Sequence, residues 1–420
     1  MLSIDLIRRD PDFVRAAMAR RHDDAPIDDV LSLDERRRVL LVESEQLRAR
    51  RNEVSKQIGR MDPKPPELLD EMRQVGDQIK ALETEGNALQ DELNALLLRI
   101  PNIPNDSVPD GADELGNVIV RQVGEPRSFE FTPQPHWDLG PALGIVDFEQ
   151  GQKISGSRFY VLRGKGAKLQ RALIQWMLDV HVNEHGCEEV YPPYMVREQV
   201  VYGSGQLPKF ADNLYHDAEE DYWLVPTAEV PLTGLYSDDI LGADQLPLRM
   251  VAYTACFRRE KMSAGRDIRG MKRGHQFDKV ELYKIVKSGQ SNDELRRLVS
   301  EAESIARGLE IPYRIVQLCT GDLGFAAVES YDVEMWAPGC DEWLEVSSCS
   351  NCADFQGRRA NIRYRPEGGG RPEFVHTLNG SGLALPRVMI AVIENYQQAD
   401  GTIVVPEVLR PYTGFDRIGG

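Results

Sequence analysis

Long apolar runs, a disulfide framework and an excess of positive charge are all missing from this sequence. The best apolar stretch, around residues 388–393, falls far short of the ~20 residues a membrane helix needs, so no membrane partner is expected. Six cysteines scattered over 420 residues do not make a cross-linked scaffold, and a reducing cytoplasm is the expected location. Near the N-terminus, Arg8, Arg9, Arg15, Arg20 and Arg21 are interleaved with Asp5, Asp10 and Asp12, acids that targeting peptides avoid. A net charge of −17 argues against a nucleic-acid binder, but a whole-chain sum hides local basic faces. A P-loop is missing too: Gly203-Ser204-Gly205 and Gly368-Gly369-Gly370 lack the spacing and the following Lys-Ser/Thr. Any phosphate must therefore be handled by arginines.

What is present divides near residue 100. Leu68, Met72, Val75, Ile79, Leu82, Gly86, Leu89, Leu93, Leu96 and Ile100 alternate spacings of four and three, a heptad seam. About 33 residues of helix extend roughly 50 Å. Upstream, Leu40, Leu47, Val54 and Met61 form a weaker seam with polar Glu43, Arg50 and Gln57 between them. The prolines at 63, 65 and 66 interrupt the two patterns, so residues 28–100 read as an antiparallel two-helix arm. Residues 36–60 carry eight bases (Arg36, Arg37, Arg38, Arg48, Arg50, Arg51, Lys56, Arg60) against three acids, and the second helix is acidic. Two readings stay open. The helices pair by salt bridges, or the basic helix faces RNA phosphate, where each contact releases counterions. A long rigid arm with no domain at its tip favours reaching for something large.

A proline-rich linker follows residue 100. Beyond about 120 the pattern is mixed, with helices at 168–184 and 295–309. Strands are expected at 222–225, 249–257, 279–285, 331–336 and 342–347. Irregular alternation favours an α+β fold, an antiparallel sheet with flanking helices. Between two of these strands, Phe257-Arg258-Arg259-Glu260 opens a hydrophilic loop over residues 261–273, and Gly274 begins the return to Phe277 and Glu281. Arginine suits bidentate contacts to phosphate and carboxylate, and acids at both ends suit a cation. A ligand part polyanion and part cation fits: ATP plus an amino acid.

Arg258-x-Glu260 with the returning Phe277 resembles motif 2 of the class II aminoacyl-tRNA synthetases. The run from Asn379 through Ser381 to Pro386 and Arg387 resembles their motif 3, and the helix at 168–184 with Glu188, Tyr191 and Pro192 is similar to motif 1. Thr227-Ala228-Glu229, the run Glu345-Val346-Ser347-Ser348-Cys349-Ser350-Asn351 and the arm narrow the resemblance to seryl-tRNA synthetases of bacterial type. It covers essentially the whole chain in motif order.

The resemblance implies activation of L-serine with ATP, release of pyrophosphate, and transfer to tRNA(Ser), with tRNA(Sec) added where it exists. It implies a tRNA-binding domain at 1–104, a linker at 105–120, a class II catalytic domain at 121–420, and a homodimer through about 168–193. Arg258 and Arg387 take catalytic roles, Arg258 bridging the serine carboxylate and the α-phosphate. Thr227, Ala228, Glu229, Glu281, Asn379 and Ser381 surround serine. Arg259, Glu260, Arg273, Gly274, Phe277, Glu345, Val346, Ser347 and Ser348 join Arg258 and Arg387 around ATP, with adenine between Phe277 and Arg387. Glu345 and Ser348 also hold Mg2+, and no zinc is expected. Arg36, Arg37, Arg48, Arg50, Arg51 and Lys56 are the tRNA contacts. Gly274 stands where the family often has a larger residue, and Asp278 has no implied role.

Several features admit blander accounts. His181-x-x-Glu184-His185 matches a short zinc-peptidase signature, yet it lies in the expected motif 1 helix. Cys349 and Cys352, with Cys340 upstream, read as buried thiols rather than a metal pair. Glu281 is also a plausible ion-pair partner of Lys279. A catalytically dead RNA-binding paralogue should have lost Arg258, Glu260 or Arg387, and all three are present. An amino acid:carrier-protein ligase has no need of the arm.

Overall fold

A computed structural model describes residues 1–261 and 269–419. Residues 262–268 of the basic loop lie outside the described residues. The chain forms two compact units, one of residues 2–19 and 23–101, the other of residues 102–420 with Met1 and residues 20–22. No helix among the described residues is long and apolar enough to cross a membrane.

The first unit holds helices α1 (Ile4–Arg9), α2 (Pro11–Arg20), α3 (Ile27–Ile58) and α4 (Pro66–Leu97). Helices α3 and α4 each run 32 residues, about 48 Å, and pack antiparallel. Pro66 opens α4, where a missing N–H costs nothing. Helix α4 buries Met72, Val75, Ile79, Leu89, Leu93 and Leu97. The seam drifts from the expected Leu96 to Leu97 because a straight helix turns every 3.6 residues rather than 3.5. On α3, Leu47 and Val54 pack into the seam beside buried Ile58. Met61, expected in the seam, is exposed because α3 has already ended.

Among the described residues, the main sheet of the second unit has eight strands: β1 (Val118–Val123), β2 (Glu188–Glu189), β3 (Leu248–Phe257), β4 (Gln276–Val286), β5 (Tyr313–Gln317), β6 (Glu329–Ala337), β7 (Glu342–Ala353) and β8 (His376–Ala384). They lie in the order β1-β5-β6-β7-β8-β4-β3-β2. Every neighbouring pair is antiparallel except β2 and β3. Helices α5 (Gly164–Asn183), α6 (Ser291–Gly308) and α7 (Leu385–Asn395) contribute Leu169, Leu173, Leu298, Ile305, Val388 and Val392 to the main core. Strand side chains alternate between faces. Val280, Leu282 and Val286 of β4 enter that core, which leaves Phe277, Lys279 and Glu281 on the other face.

Lys284 shares the core-side parity and is completely buried. Its ammonium lies 3.2 Å from Glu294 and 2.8 Å from Glu301 of α6, while Arg249 of β3 takes the other oxygen of Glu294 at 2.5 Å. A buried ion network is costly to assemble and worse to break, since removing one partner strands a charge in low dielectric. Lys284→Met is expected to lower unfolding stability by about 3–5 kcal/mol, read from urea denaturation. An unchanged midpoint would contradict the account of this network.

Candidate active site

On the strand face away from α5, α6 and α7 lies a cavity of about 290 Å³. Strand β4 sends Phe277, Lys279 and Glu281 into it, β8 sends Asn379 and Ser381, and β7 sends Glu345, Ser348 and Ser350, with Val346, packed in the main core, bordering it. Arg258 and Glu260 enter from just beyond β3, with Lys272, Arg273 and Gly274 from just before β4. Thr227 and Glu229 come from a helix start, and Arg387 from the first turn of α7.

Two β-bulges set which side chains face the cavity. Opposite β6, Val333 pairs with Ser347 but Glu334 pairs with Glu345, so Val346 is the extra residue. An extra residue shifts the alternation by one, which brings Glu345 and Ser348 to the same side three positions apart. Opposite β4, Ser381 pairs with Glu281 and Leu383 with Val280, so Gly382 is extra. A Cβ on Gly382 would lie 2.8 Å from His181 Nε2. Glycine therefore lets the bulge sit against α5, and its carbonyl accepts from that nitrogen at 3.1 Å.

At the deep end of the cavity, Glu229 is buried and its Oε1 accepts from Gln356 Nε2 at 2.5 Å. Gln356 is itself held by Thr377 Oγ1 at 2.5 Å and Tyr283 Oη at 3.3 Å, both donating to its carbonyl. Burial, and then the charge of Glu281, raises the Glu229 carboxyl to about 7. Glu281 pairs with Lys279 at 2.5 Å. Arg258 is fixed from its backbone: its N–H donates to His275 O at 2.9 Å, extending the β3–β4 ladder. Its Nε donates to Pro226 O at 3.3 Å, and its guanidinium carbon is 5.2 Å from the centre of the Phe277 ring.

Toward the other end, Arg387 donates to the Glu345 backbone carbonyl at 2.7 Å and pairs with its carboxylate at 3.1 Å. Arg273 lies 3.9 Å from Glu260, and Lys272 pairs with Glu342. Glu260 has φ +50°, a left-handed backbone that costs a non-glycine residue roughly 1–2 kcal/mol. Facing Ser348 across the ladder is Asp332 of β6. Burial, and then the charge of Glu345, pushes its carboxyl well above the usual range. Its Oδ1 is a buried atom with no hydrogen-bond partner among the described residues.

Most residues expected at the site meet there: Thr227, Glu229, Arg258, Glu260, Arg273, Gly274, Phe277, Glu281, Glu345, Val346, Ser348, Asn379, Ser381 and Arg387 all line the cavity. Ala228, Arg259 and Ser347 do not. Ala228 is packed in an apolar cluster with Leu232 and Ala252. Arg259 alternates away from Arg258 into solvent, 6.0 Å from the Tyr215 ring centre. The Val346 bulge turns Ser347 inward, where its hydroxyl donates to Ser381 O at 2.6 Å.

Gln206, Lys272, Lys279, Ser350, Ala384 and Pro386 also line the cavity and were not assigned from sequence. Period-two alternation from Phe277 and Ser348 is a signal for Lys279 and Ser350. Gln206, alone in its segment, carries none. Gly274 is buried, and a Cβ there would meet Gln276 O at 2.9 Å. Asp278 faces the core side, bonded to Tyr253 Oη at 2.8 Å and to Gln170.

His181 has both ring nitrogens engaged, Nε2 by Gly382 and Nδ1 by His185 at 2.9 Å. Burial lowers its pKa to about 4. On the arm, Arg48 pairs with Glu83, Arg50 with Glu71 at 2.5 Å, and Arg36 with Glu85 at 3.9 Å. Arg37 and Arg51 are half-buried and Lys56 is exposed.

Among the described lining residues are five cations (Arg258, Lys272, Arg273, Lys279, Arg387) and four carboxylates (Glu229, Glu260, Glu281, Glu345). Such a site accepts a ligand carrying several negative charges and one positive one.

Residues 210–396 match the tRNA synthetase class II core domain (G, H, P, S and T), and residues 1–104 match the seryl-tRNA synthetase N-terminal domain. The chain is 62% identical over 417 residues to a serine–tRNA ligase of Roseiflexus sp. (strain RS-1), covering 99% of this chain and 98% of that one. It is 60% identical over 418 residues to a serine–tRNA ligase of Dehalococcoides mccartyi, covering both in full. Its structure superimposes on that of seryl-tRNA synthetase from Pyrococcus horikoshii complexed with ATP with a TM-score of 0.94 and 40% identity, covering 100% of this chain and 99% of that one.

Proposed function

We propose how this cavity works from one premise: the chain belongs to the seryl-tRNA synthetase family. Its activity is serine–tRNA ligation, activating L-serine with ATP and passing the seryl group to tRNA. The observation that carries the residue assignments is the meeting of Glu229, Arg258 and Arg387, from three distant segments, on one cavity of balanced charge.

Thr227, Glu229, Glu281, Asn379 and Ser381 hold serine at the deep end, with Glu229 and Glu281 supplying negative charge for the ammonium. Buried polar groups that hydrogen-bond the substrate hydroxyl reject alanine, which leaves them unpaired. Arg258 bridges the serine carboxylate and the α-phosphate. A carboxylate oxygen then bonds to the α-phosphorus in line as the bond to the β-phosphate oxygen breaks and pyrophosphate leaves. No proton moves in that step, so positioning and charge neutralisation carry it. Arg273 takes the outer phosphates, Glu260 contacts adenine, and Phe277 with Arg387 encloses the base.

Glu345 and Ser348 fit a Mg2+ ion accompanying ATP. The orphaned Asp332 oxygen and the crowding of Asp332 against Glu345 are what a divalent cation relieves. When bound, the ion supplies charge neutralisation to the phosphates.

The arm takes tRNA(Ser), and tRNA(Sec) where it exists, through Arg36, Arg37, Arg48, Arg50, Arg51 and Lys56. Arg48 and Arg50 remain 51% and 60% exposed despite their ion pairs. Exposed pairs are worth little, so phosphate competes for them. A homodimer through about residues 168–193 suits the exposure of Tyr191 at 82%. A cytoplasmic location suits six unpaired cysteines.

Arg258→Ala is expected to reduce serine-dependent ATP–pyrophosphate exchange by about 100- to 1,000-fold, with Arg259→Ala within about threefold of the parent. Equal losses would overturn the division between the two arginines.

The raised Glu229 pKa gives a second test. Below about pH 7 its carboxyl is protonated and cannot neutralise an ammonium. The serine KM should therefore fall as pH rises from 6 to 7, by up to about tenfold per unit, and level off above. Glu229→Gln should bind serine weakly with this dependence removed. The same slope in the Gln variant would place the titrating group elsewhere.

A further inference from the structure

Behind the cavity lies a polar node that the reaction does not use directly. His136 opens the short helix His136–Ala142 and is completely buried, as is Glu394 near the end of α7. Glu394 Oε1 accepts from the His136 backbone N–H at 2.9 Å, from His136 Nδ1 at 2.8 Å and from Cys340 Sγ at 3.1 Å. Its Oε2 accepts from the backbone N–H groups of Gly339 at 2.9 Å and Cys340 at 3.0 Å. Burial alone would raise this carboxyl, but these donors outweigh it and hold the pKa below its ordinary value.

The tautomer of His136 follows from its partners. The Met271 N–H, which can only donate, meets Nε2 at 3.2 Å, so the ring proton sits on Nδ1, facing Glu394. His136, Cys340 and Glu394 have the composition of a metal site, with ligand atoms within 4.8 Å of one another. The Nδ1 lone pair is nevertheless taken by that proton, and both carboxylate oxygens are already occupied.

The imidazole is thus a neutral bridge from a fixed carboxylate to the returning limb of the basic loop. That limb wraps the ring closely: Gly270 has φ +75°, and a Cβ on it would lie 2.0 Å from His136 Nε2. Met271 is buried in the core. The next two residues, Lys272 and Arg273, line the cavity. The neighbour of His136 reaches the same limb, with Lys272 Nζ 5.8 Å from the centre of the Trp137 ring.

We propose that His136 is a positioning residue: through the Met271 amide it sets Lys272 and Arg273 against the polyphosphate of ATP. The inference rests on the reading of this cavity as the ATP site. It predicts an effect on ATP that serine does not share, because the serine-binding residues lie on other segments.

The test is steady-state ATP–pyrophosphate exchange with the full-length protein, varying ATP and serine separately. His136→Asn keeps a donor for Glu394 near the Nδ1 position but removes the acceptor for Met271. His136→Gln reaches the Nε2 position with its carbonyl and loses the bond to Glu394. His136→Asn is expected to raise the ATP KM about tenfold with the serine KM within about twofold, and His136→Gln to recover most of the ATP KM. If His136→Asn does not fold, Gly270→Ala, which alters none of the groups that donate to Glu394 but crowds the ring from the loop side, should give the same split. An ATP KM within twofold of the parent, equal rises in both KM values, or no recovery in His136→Gln would overturn the proposal. Absence of serine-dependent exchange in the parent protein would instead overturn the reading of the site.

Discussion

Among the described residues, five cations and four carboxylates line one small cavity, and the fold fixes where each of them sits. Charges this close attract strongly once water is reduced: Lys279 pairs with Glu281 and Arg387 with Glu345, so each needs a fixed place if a ligand is to be met in one geometry. The sheet supplies those places. Arg258 is locked by a ladder bond to His275, Arg387 by the Glu345 carbonyl, and Glu229 by Gln356. The long ion pair of Arg273 with Glu260, at 3.9 Å, is the looser contact, and it lies where outer phosphates are proposed to sit.

This arrangement relies on polar groups behind the first layer. Gln356 links Glu229 to Thr377 and Tyr283, and the His136–Glu394 node holds the limb that carries Lys272 and Arg273. Buried networks of this kind are stabilising only when their members are satisfied, and they then specify one geometry. Preorganisation matters especially for a reaction that moves no proton. Its rate depends on holding two anionic reactants in line, so what the protein contributes is placement of charge.

The arm and the reactive core were legible in the residues for different reasons. The helices α3 and α4 follow from a seam whose period is visible in one pass, and only its drift to Leu97 needed three dimensions. The cavity residues were found through motifs, since composition gives no hint that Thr227, Glu281 and Ser381 meet. Alternation on β4 is sufficient to place Lys279, which also pairs with Glu281 as the sequence suggests. Bulges were the main obstacle. Nothing in the run around Val346 announces an extra residue, and the hydroxyl of Ser347, which the resemblance implies near ATP, turns to Ser381. Arg259, which the resemblance implies near ATP, instead alternates away from Arg258 into solvent. Asp332, Gln356, His136 and Glu394 act through long-range contacts and carry no local signature.

The central claim is that this cavity recognises serine and activates it with ATP. It is tested most directly by amino-acid-dependent ATP–pyrophosphate exchange, run without tRNA across all twenty amino acids. Exchange with serine alone is the predicted result. Exchange driven by another amino acid would contradict the serine pocket built on Thr227, Glu229, Glu281 and Ser381. Its absence with every amino acid, from folded protein, would contradict the account of the cavity as an activating site.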